Sequence, residues 1–541
     1  MMEGGHEEQQ QAHGMGKKGG MRLIPVIIAN EVSERILSAS VTANLIIYLT
    51  TKYHLGAATS AIIIFVYQAA ANFLPFCGAI VSDALLGRYL MVTVTLFFCT
   101  IGAALMSLTS VVRSLTPPEC ALPNQQVCSS PTALQLLVLC ASLGFMSLGA
   151  SGVRPCCLAF AEDQIAHWGA TRRDRALRRL FSWYYVSVGF SQMVAVTVLV
   201  YFQDMLGWKV GFIVSAAMVA SATLLNLVVS PFYVKVKPQK SIWASLLQVA
   251  VVAVKNRHLT VPAANHGVQF HSFAGSWNTC TVEQVEDLKS ALSVMPMWSA
   301  MVVSFLAQSS SFGVLQASTM DRRIGTTRFQ IPAGSISIFE IVTFTVWSGC
   351  YDPYVVPFLR MITGRQRVLT LKQRMGIGVF LCVASMAVAS AVEARRREAA
   401  ARQQGALRMS ALWLVPQYVL SGLSGAFGAI AQIEFYYAVL PKNMGSLVLA
   451  LLFFGAGVAS IESTVIVKLV NVVTSKGGAT PWISDDLNRG HYDYYYLLLA
   501  VLGAIDLVYL LVCAYVFDET TQNMSLEAGD DVEAETVEVQ G

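Results

Sequence analysis

Twelve stretches of this chain are apolar and long enough to cross a lipid bilayer, and that count decides most of what it can fold into. A transmembrane helix needs about 20 consecutive, mostly apolar residues. Such runs fall at 23–50, 58–81, 90–113, 133–160, 180–202, 208–234, 289–312, 332–350, 374–393, 411–437, 444–472 and 492–517. The composition agrees, because 55% of the residues are hydrophobic and 13% charged, against roughly 25% charged in soluble domains. The expected fold is an all-α membrane protein. Residues 1–20 are polar and lack an apolar core ahead of a cleavage site, so no signal peptide is read and the first span is expected to act as the membrane signal.

Six runs precede and six follow a polar stretch of about fifty residues. This divides the chain into an N-terminal tail at 1–21, a six-helix bundle at 22–234, a linker at 235–288, a second bundle at 289–517 and an acidic tail at 518–541. An amphipathic segment at 241–258 in the linker is expected to lie along the membrane surface. Lys17, Lys18, Arg22, Arg88 and the arginines at 172, 173, 175, 178 and 179 place their loops, and both termini, in the cytosol. One loop breaks the pattern: Arg395, Arg396, Arg397 and Arg402 follow the ninth span and fall outside if all twelve spans cross.

The first span carries Glu31, Glu34 and Arg35. Each charge at a helix centre costs about 2.5–3.5 kcal/mol on insertion scales, so three together mark a proton or ion pathway. On a helix Glu31 and Arg35 are i,i+4 neighbours and Glu34 lies one turn from Glu31. A carboxylate in a dry cavity can load and release a proton while an adjacent arginine stays charged and changes partner. The alternative is a structural ion pair between helices, which has no need of a second acid. Arg154 is a second intramembrane cation, set among Gly149, Ala150, Ser151 and Gly152, whose small side chains admit a neighbouring helix. At the turn after the second span, Gly87 permits a tight bend, Arg88 can cap span-end carbonyls and Asp83 can pair with a basic neighbour, giving a cytosolic latch; a plain turn is the alternative. Eleven cysteines show no zinc spacing, and no metal or other cofactor is expected. Cys120 and Cys128 share a polar loop, where a disulfide and two free thiols both remain open.

Glu31-Val-Ser-Glu34-Arg35 matches the ExxER signature of the plant nitrate/peptide transporter family, the plant branch of the proton-coupled oligopeptide transporters. Asp83 to Leu90, Gly152-Val-Arg154-Pro155, Phe160 to Gln164, Met320-Asp321-Arg322 with Gln330 to Ala333, Leu369-Thr370 with Gln373 to Gly378, and Pro481 to Ile483 with Asp485 to Asn488 extend the likeness in order along nearly the whole chain, and the Cys120 and Cys128 spacing fits too. The chain thus resembles that family, and the resemblance implies a major facilitator fold, two halves rocking about a substrate site near the midplane. It implies a proton as coupling ion and a span-four cation paired with a glutamate in span ten. Here the cation is Arg154, in place of the usual lysine, and the matching span-ten residue is Gly425. Arg154 then has either a different partner or an anionic substrate; Glu340, midway along span eight, is the candidate partner, with a locally hydrogen-bonded or protonated acid as the alternative. Glu462 is expected at the wrong depth and Asp506 at the periphery.

The residues after ExxER, Ile36 to Ala39, lack the aromatic and tyrosines of peptide-transporting relatives, which disfavours peptides. Arg35 and Arg154 favour an anion, with Gln308, Ser309 and Tyr185 as further substrate contacts; the polar residues after Leu306 serve equally well for helix packing, and Tyr184 and Tyr185 as interfacial belt residues. Leu306 and Met91 replace the histidine and the threonine that nitrate-transporting relatives carry. The resulting expectation is a proton-coupled transporter of small anions, low-affinity nitrate first. A carrier of organic anions such as plant hormones or glycosides is the second reading, and a nutrient receptor without net flux the third. No HExxH, GxSxG or Walker A loop supports an enzyme, and no nucleic-acid partner is expected. The protein is expected as a multi-pass monomer, or a dimer, in the plasma membrane rather than the vacuolar one.

Overall fold

The computed structural model describes residues 19–118, 129–236, 249, 251, 282–308, 312–323, 329–364, 369–402, 409–441, 445–478 and 480–538. These residues form long helices: α1 (Ile24–Thr51), α2 (Ala57–Val81), α3 (Arg88–Val111), α4 (Ala133–Asp163), α5 (Ala170–Val194) and α6 (Trp208–Val229) in the first half. The second half holds α7 (Met295–Gln308), α8 (Ile338–Cys350), α9 (Leu371–Arg402), α10 (Val415–Val439), α11 (Gly445–Thr474) and α12 (Tyr492–Glu538). Among the described residues β pairing is limited to two isolated bridges, Asp321 with Ser410 and Arg323 with Gln330. Among the described residues ten helices are long and apolar enough to cross a membrane, eleven when the pair Asp287–Ser293 and Met295–Phe305, bent by 45°, is one span. The 28-residue α1 is about 42 Å long, enough to reach across a bilayer. Its polar and charged residues set it apart from those ten.

Local sequence explains where helices begin and how closely they pack. Thr132 and Gln135 form a reciprocal capping box on α4, and Thr370 and Gln373 do the same ahead of α9. Pro25 and Pro416 sit in first turns, where the missing N–H is no loss. Small residues let backbones touch: Gly78 of α2 lies against the Ser151 carbonyl of α4, and a Cβ on Gly378 of α9 would stand 2.6 Å from the Gly428 Cα of α10. Buried Asn226 of α6 accepts from Asn30 of α1 at 3.0 Å and donates to Thr93 of α3 at 3.1 Å, joining three spans.

Gly20 donates to the Gln164 carbonyl at the end of α4, and Phe517 of α12 packs on Phe435 near the end of α10; the face that carries Gly20 and Phe517 is the termini side. The polar contacts described between the halves lie on the far side. Arg322 reaches Asp204 at 3.0 Å, and Asp485 Oδ1 accepts from the Ala57 N–H at 2.8 Å, capping the start of α2 from the other half. Tyr201 stacks on Phe329 at the same end. The Asp485 and Arg322 sequence stretches therefore close one end of the molecule.

Four expectations change. The ninth span runs on to Arg402, and its arginines are held by local partners: Arg396 is buried and doubly bonded to Glu393 at 2.8 Å, Arg397 pairs with Asp493 at 2.7 Å, and Arg395 lies over Trp413. Cations neutralised in this way do not act as free loop charges, which is why the loop breaks the basic-loop pattern. Helix α5 starts at Ala170, ahead of the expected 180, so the arginines at 172–179 are helical. A helix at Val282–Ser293 starts inside the expected linker, while the interfacial segment at 241–258 lies outside the described residues save 249 and 251. The acidic tail, read as lacking the pattern of a packed element, continues α12 to Glu538, in keeping with the good helix propensity of its Glu, Ala, Leu and Met.

Candidate functional site

Helical spacing on α1 builds two adjoining ion pairs. Arg35 binds Glu31 one turn back, its Nη2 and Nε at 2.7 and 2.8 Å from Oε1. Tyr184 of α5 donates its hydroxyl to the same oxygen at 2.6 Å. Glu31 Oε2 is buried and has no hydrogen-bond partner, leaving a position where a proton can sit. Glu34, also on α1, accepts from Ser38 one turn on at 2.6 Å and from Arg154 of α4, whose Nη2 stands 2.9 Å and Nε 3.1 Å from its two oxygens. Arg154 Nη1 donates to the Ala71 carbonyl of α2 at 3.3 Å. Both glutamates are fully buried.

The two arginines of these pairs line a cavity of about 430 Å³ between the halves. Arg35, Arg154, Gln68, Asn72 and Gln192 come from the first half; Glu340, Tyr418 and Phe305 come from the second. Glu340 accepts from Ser421 of α10 at 2.9 Å. The expected Arg154–Glu340 pair is therefore absent here, and the partner of Arg154 is Glu34. Gly149 and Gly152 pack on Cys99 and Thr95 of α3 and the Ser151 carbonyl lies on Gly78 of α2, while Arg154 reaches Glu34, an acid of its own half. Glu340 faces the same cavity from the opposite wall.

The other candidates fall out unevenly. Tyr185 is 63% exposed, meets Tyr184 edge-on and does not line the cavity, so the site tyrosine is its neighbour. Consecutive helical residues point about 100° apart. Gln308 lies in the α7 backbone, but its side chain and Ser309 are outside the described residues, as are Cys120 and Cys128. In the proposed latch Gly87 has φ of 78°, a conformation suited to glycine. Arg88 caps the Ala159 carbonyl at 3.3 Å and pairs with Asp163 at 2.6 Å, all within the first half. Asp83 makes no described ion pair: Asp163 at the end of α4 reaches Arg88 and takes its place. Sequence reading missed Ser38, visible as the i+4 neighbour of Glu34, and Glu434 of α10, which pairs with Arg374 at 2.7 Å. Nothing local in the sequence ties Tyr184 to Glu31. Among the described residues no His, Cys, Asp and Glu group is placed to hold a metal ion.

Two helical halves around a polar, ion-paired central cavity define a membrane transporter of the major facilitator type. The chain matches the model described as "PTR2: POT family" over residues 89–483. It belongs to that family, whose members are transporters and not enzymes. "Protein NRT1/ PTR FAMILY 1.2" of Arabidopsis thaliana is 37% identical, with 94% of this chain and 91% of that protein covered. "Protein NRT1/ PTR FAMILY 1.1" of the same plant is 36% identical, over 96% and 95%. Among solved structures, an auto-inhibited POT family peptide transporter superposes with a TM-score of 0.72 at 16% identity, covering 91% of this chain and 97% of its own. A POT family transporter in complex with 5-aminolevulinic acid gives 0.64 at 15%, covering 93% and 98%. At such identities these two likenesses concern the fold.

Proposed function

We propose that this chain is a proton-coupled symporter of anions, oriented with both termini in the cytosol, at the plasma membrane. The observation that carries the reading is that both cavity arginines are already held by carboxylates, Arg35 by Glu31 and Arg154 by Glu34. A buried guanidinium needs one counter-charge. When Glu34 takes up a proton it releases Arg154, and an anion entering the cavity replaces it; proton and anion then travel together without leaving a bare charge in the membrane. Loss of the proton re-forms the pair and expels the anion. Glu31, with its unpartnered oxygen, is the second proton position, and Glu340 on the opposite wall is a way-station for Arg154 as the halves move.

Nitrate is the first cargo to test in this scheme. A cavity of about 430 Å³ lies in the range of drug-sized ligands, and its Tyr418 and Phe305 wall supports an organic anion such as a hormone or glycoside as the second reading.

The test is uptake by the purified full chain in liposomes. An inward proton gradient should drive uptake of labelled nitrate or a competing anion, and Glu31→Gln or Arg35→Ala should abolish it. Unchanged uptake in both variants overturns the coupling role, and no flux of any anion leaves the receptor reading in its place. Competition at acidic pH by chloride, a dipeptide and plant hormones selects the cargo. Arg154→Ala should stop transport, and Glu340→Gln should match that loss only if Arg154 visits Glu340.

A further inference from the structure

We propose that the termini-side end of α5 binds the phosphate headgroup of an anionic phospholipid in the leaflet on that side. Five arginines occupy positions 172, 173, 175, 178 and 179. Two serve the protein itself: Arg173 pairs with Glu162 at 3.4 Å and Arg172 lies 4.1 Å over Trp168. Arg175, Arg178 and Arg179 are exposed and make no ion pair among the described residues, and Asp174 is the one acid within the run.

Helical spacing singles out two of these three. Arg175, Arg179, Trp183, Val186 and Phe190 follow at intervals of four, four, three and four, which places them on one stripe of the helix. Trp183, Val186 and Phe190 are 63%, 66% and 62% exposed, so that stripe is not covered by protein along a membrane-crossing helix. Acyl chains cover the apolar part, and Trp183 suits the interface where tryptophan concentrates. Arg179 and Arg175 then continue the same line about 6 and 12 Å further along the axis, at the depth of lipid phosphates. A guanidinium fork matches phosphate oxygens in pairs. The charge, the bare apolar stripe beneath it and the tryptophan between them fit one amphiphilic molecule, with its phosphate on the arginines and its chain on Val186 and Phe190. The occupied helix is the one that carries Tyr184 to Glu31.

The test is retention of short-chain phosphatidylserine by the full-length protein, read by native mass spectrometry, with phosphatidylcholine as comparison. A cation near the surface is worth about 1 kcal/mol toward anionic lipid, so Arg175→Gln with Arg179→Gln should weaken phosphatidylserine binding about 25-fold. Arg178→Gln, off the stripe, should weaken it by no more than about fivefold, the worth of one surface cation, and Arg113→Gln with Lys209→Gln, on the far side, should leave it within about threefold. Arg175→Lys with Arg179→Lys should keep most of it, which separates lost charge from lost folding. Equal losses in the off-stripe or far-side variants, undiminished binding in the double glutamine variant, or displacement of the lipid by inorganic phosphate would each overturn the proposal.

Discussion

Glu34→Gln isolates the central claim, because it removes the charge that holds Arg154 while keeping the side chain's shape. Glu34 is 0% exposed and the Arg154 side chain 13%, with nitrogen to oxygen distances of 2.9 to 3.2 Å. Removing one partner of a buried ion pair costs about 3–5 kcal/mol, most of it from the stranded charge. The variant should therefore melt well below the parent in detergent. Part of that loss should return when a transported anion is added, since the anion supplies the missing counter-charge to Arg154, and the anion-induced rise in melting temperature should be larger than in the parent. In liposomes Glu34→Gln imitates the proton-loaded state: anion exchange between two loaded compartments should persist, while accumulation driven by a proton gradient should vanish. If the variant melts like the parent, gains nothing extra from anion and still accumulates substrate down a proton gradient, then the pair is a structural tie and the symport scheme is wrong.

Tyr184→Phe removes a charge-assisted bond to Glu31, worth about 1.5–3 kcal/mol, and should move the pH dependence of uptake; an unaltered pH–rate profile would assign the hydroxyl to packing alone. Asp485→Ala with Arg322→Gln loosens the far side, so a cysteine at Ser318, beside Asp485, should react faster with a membrane-impermeant thiol reagent, and an unchanged labelling rate would remove these residues from the closure. Gly78→Ala drives a methyl into the Ser151 carbonyl and should cost about 1–3 kcal/mol, seen as a lower melting temperature; normal stability would show that α2 and α4 can part without penalty.

Most of the helical layout was legible because the bilayer demands long apolar runs. The charges on α1 stood out for the same reason: Glu31, Glu34 and Arg35 are costly where they sit, and each turned out to be bonded. What stayed hidden depends on which helices touch. Tyr184 reaches Glu31 across 153 residues of chain, and no spacing rule connects them. Arg154 was matched to Glu340 because span ten offered Gly425 in place of an acid, whereas the folded chain puts Arg154 2.9 Å from Glu34 of α1. Arginines 395 to 397 misled because charge counting sees sign and not partners. Residues 172 to 179 read as a loop because they are polar, yet arginine is a good helix former and the helix simply extends beyond the bilayer.

The Asp485 cap on Ala57 has a consequence for how the molecule is assembled. The start of α2 has no capping side chain of its own, and the residue before it is Gly56. The first half, made or expressed alone, would end that helix with an open N–H, and the second half would carry an acid with nothing to hold. Neither half is then a finished module that merely hinges against the other. Transport must unmake and remake a part that both halves share, so co-expressed half-chains should find each other, and an exchange of halves with a distant relative should fail first at this joint.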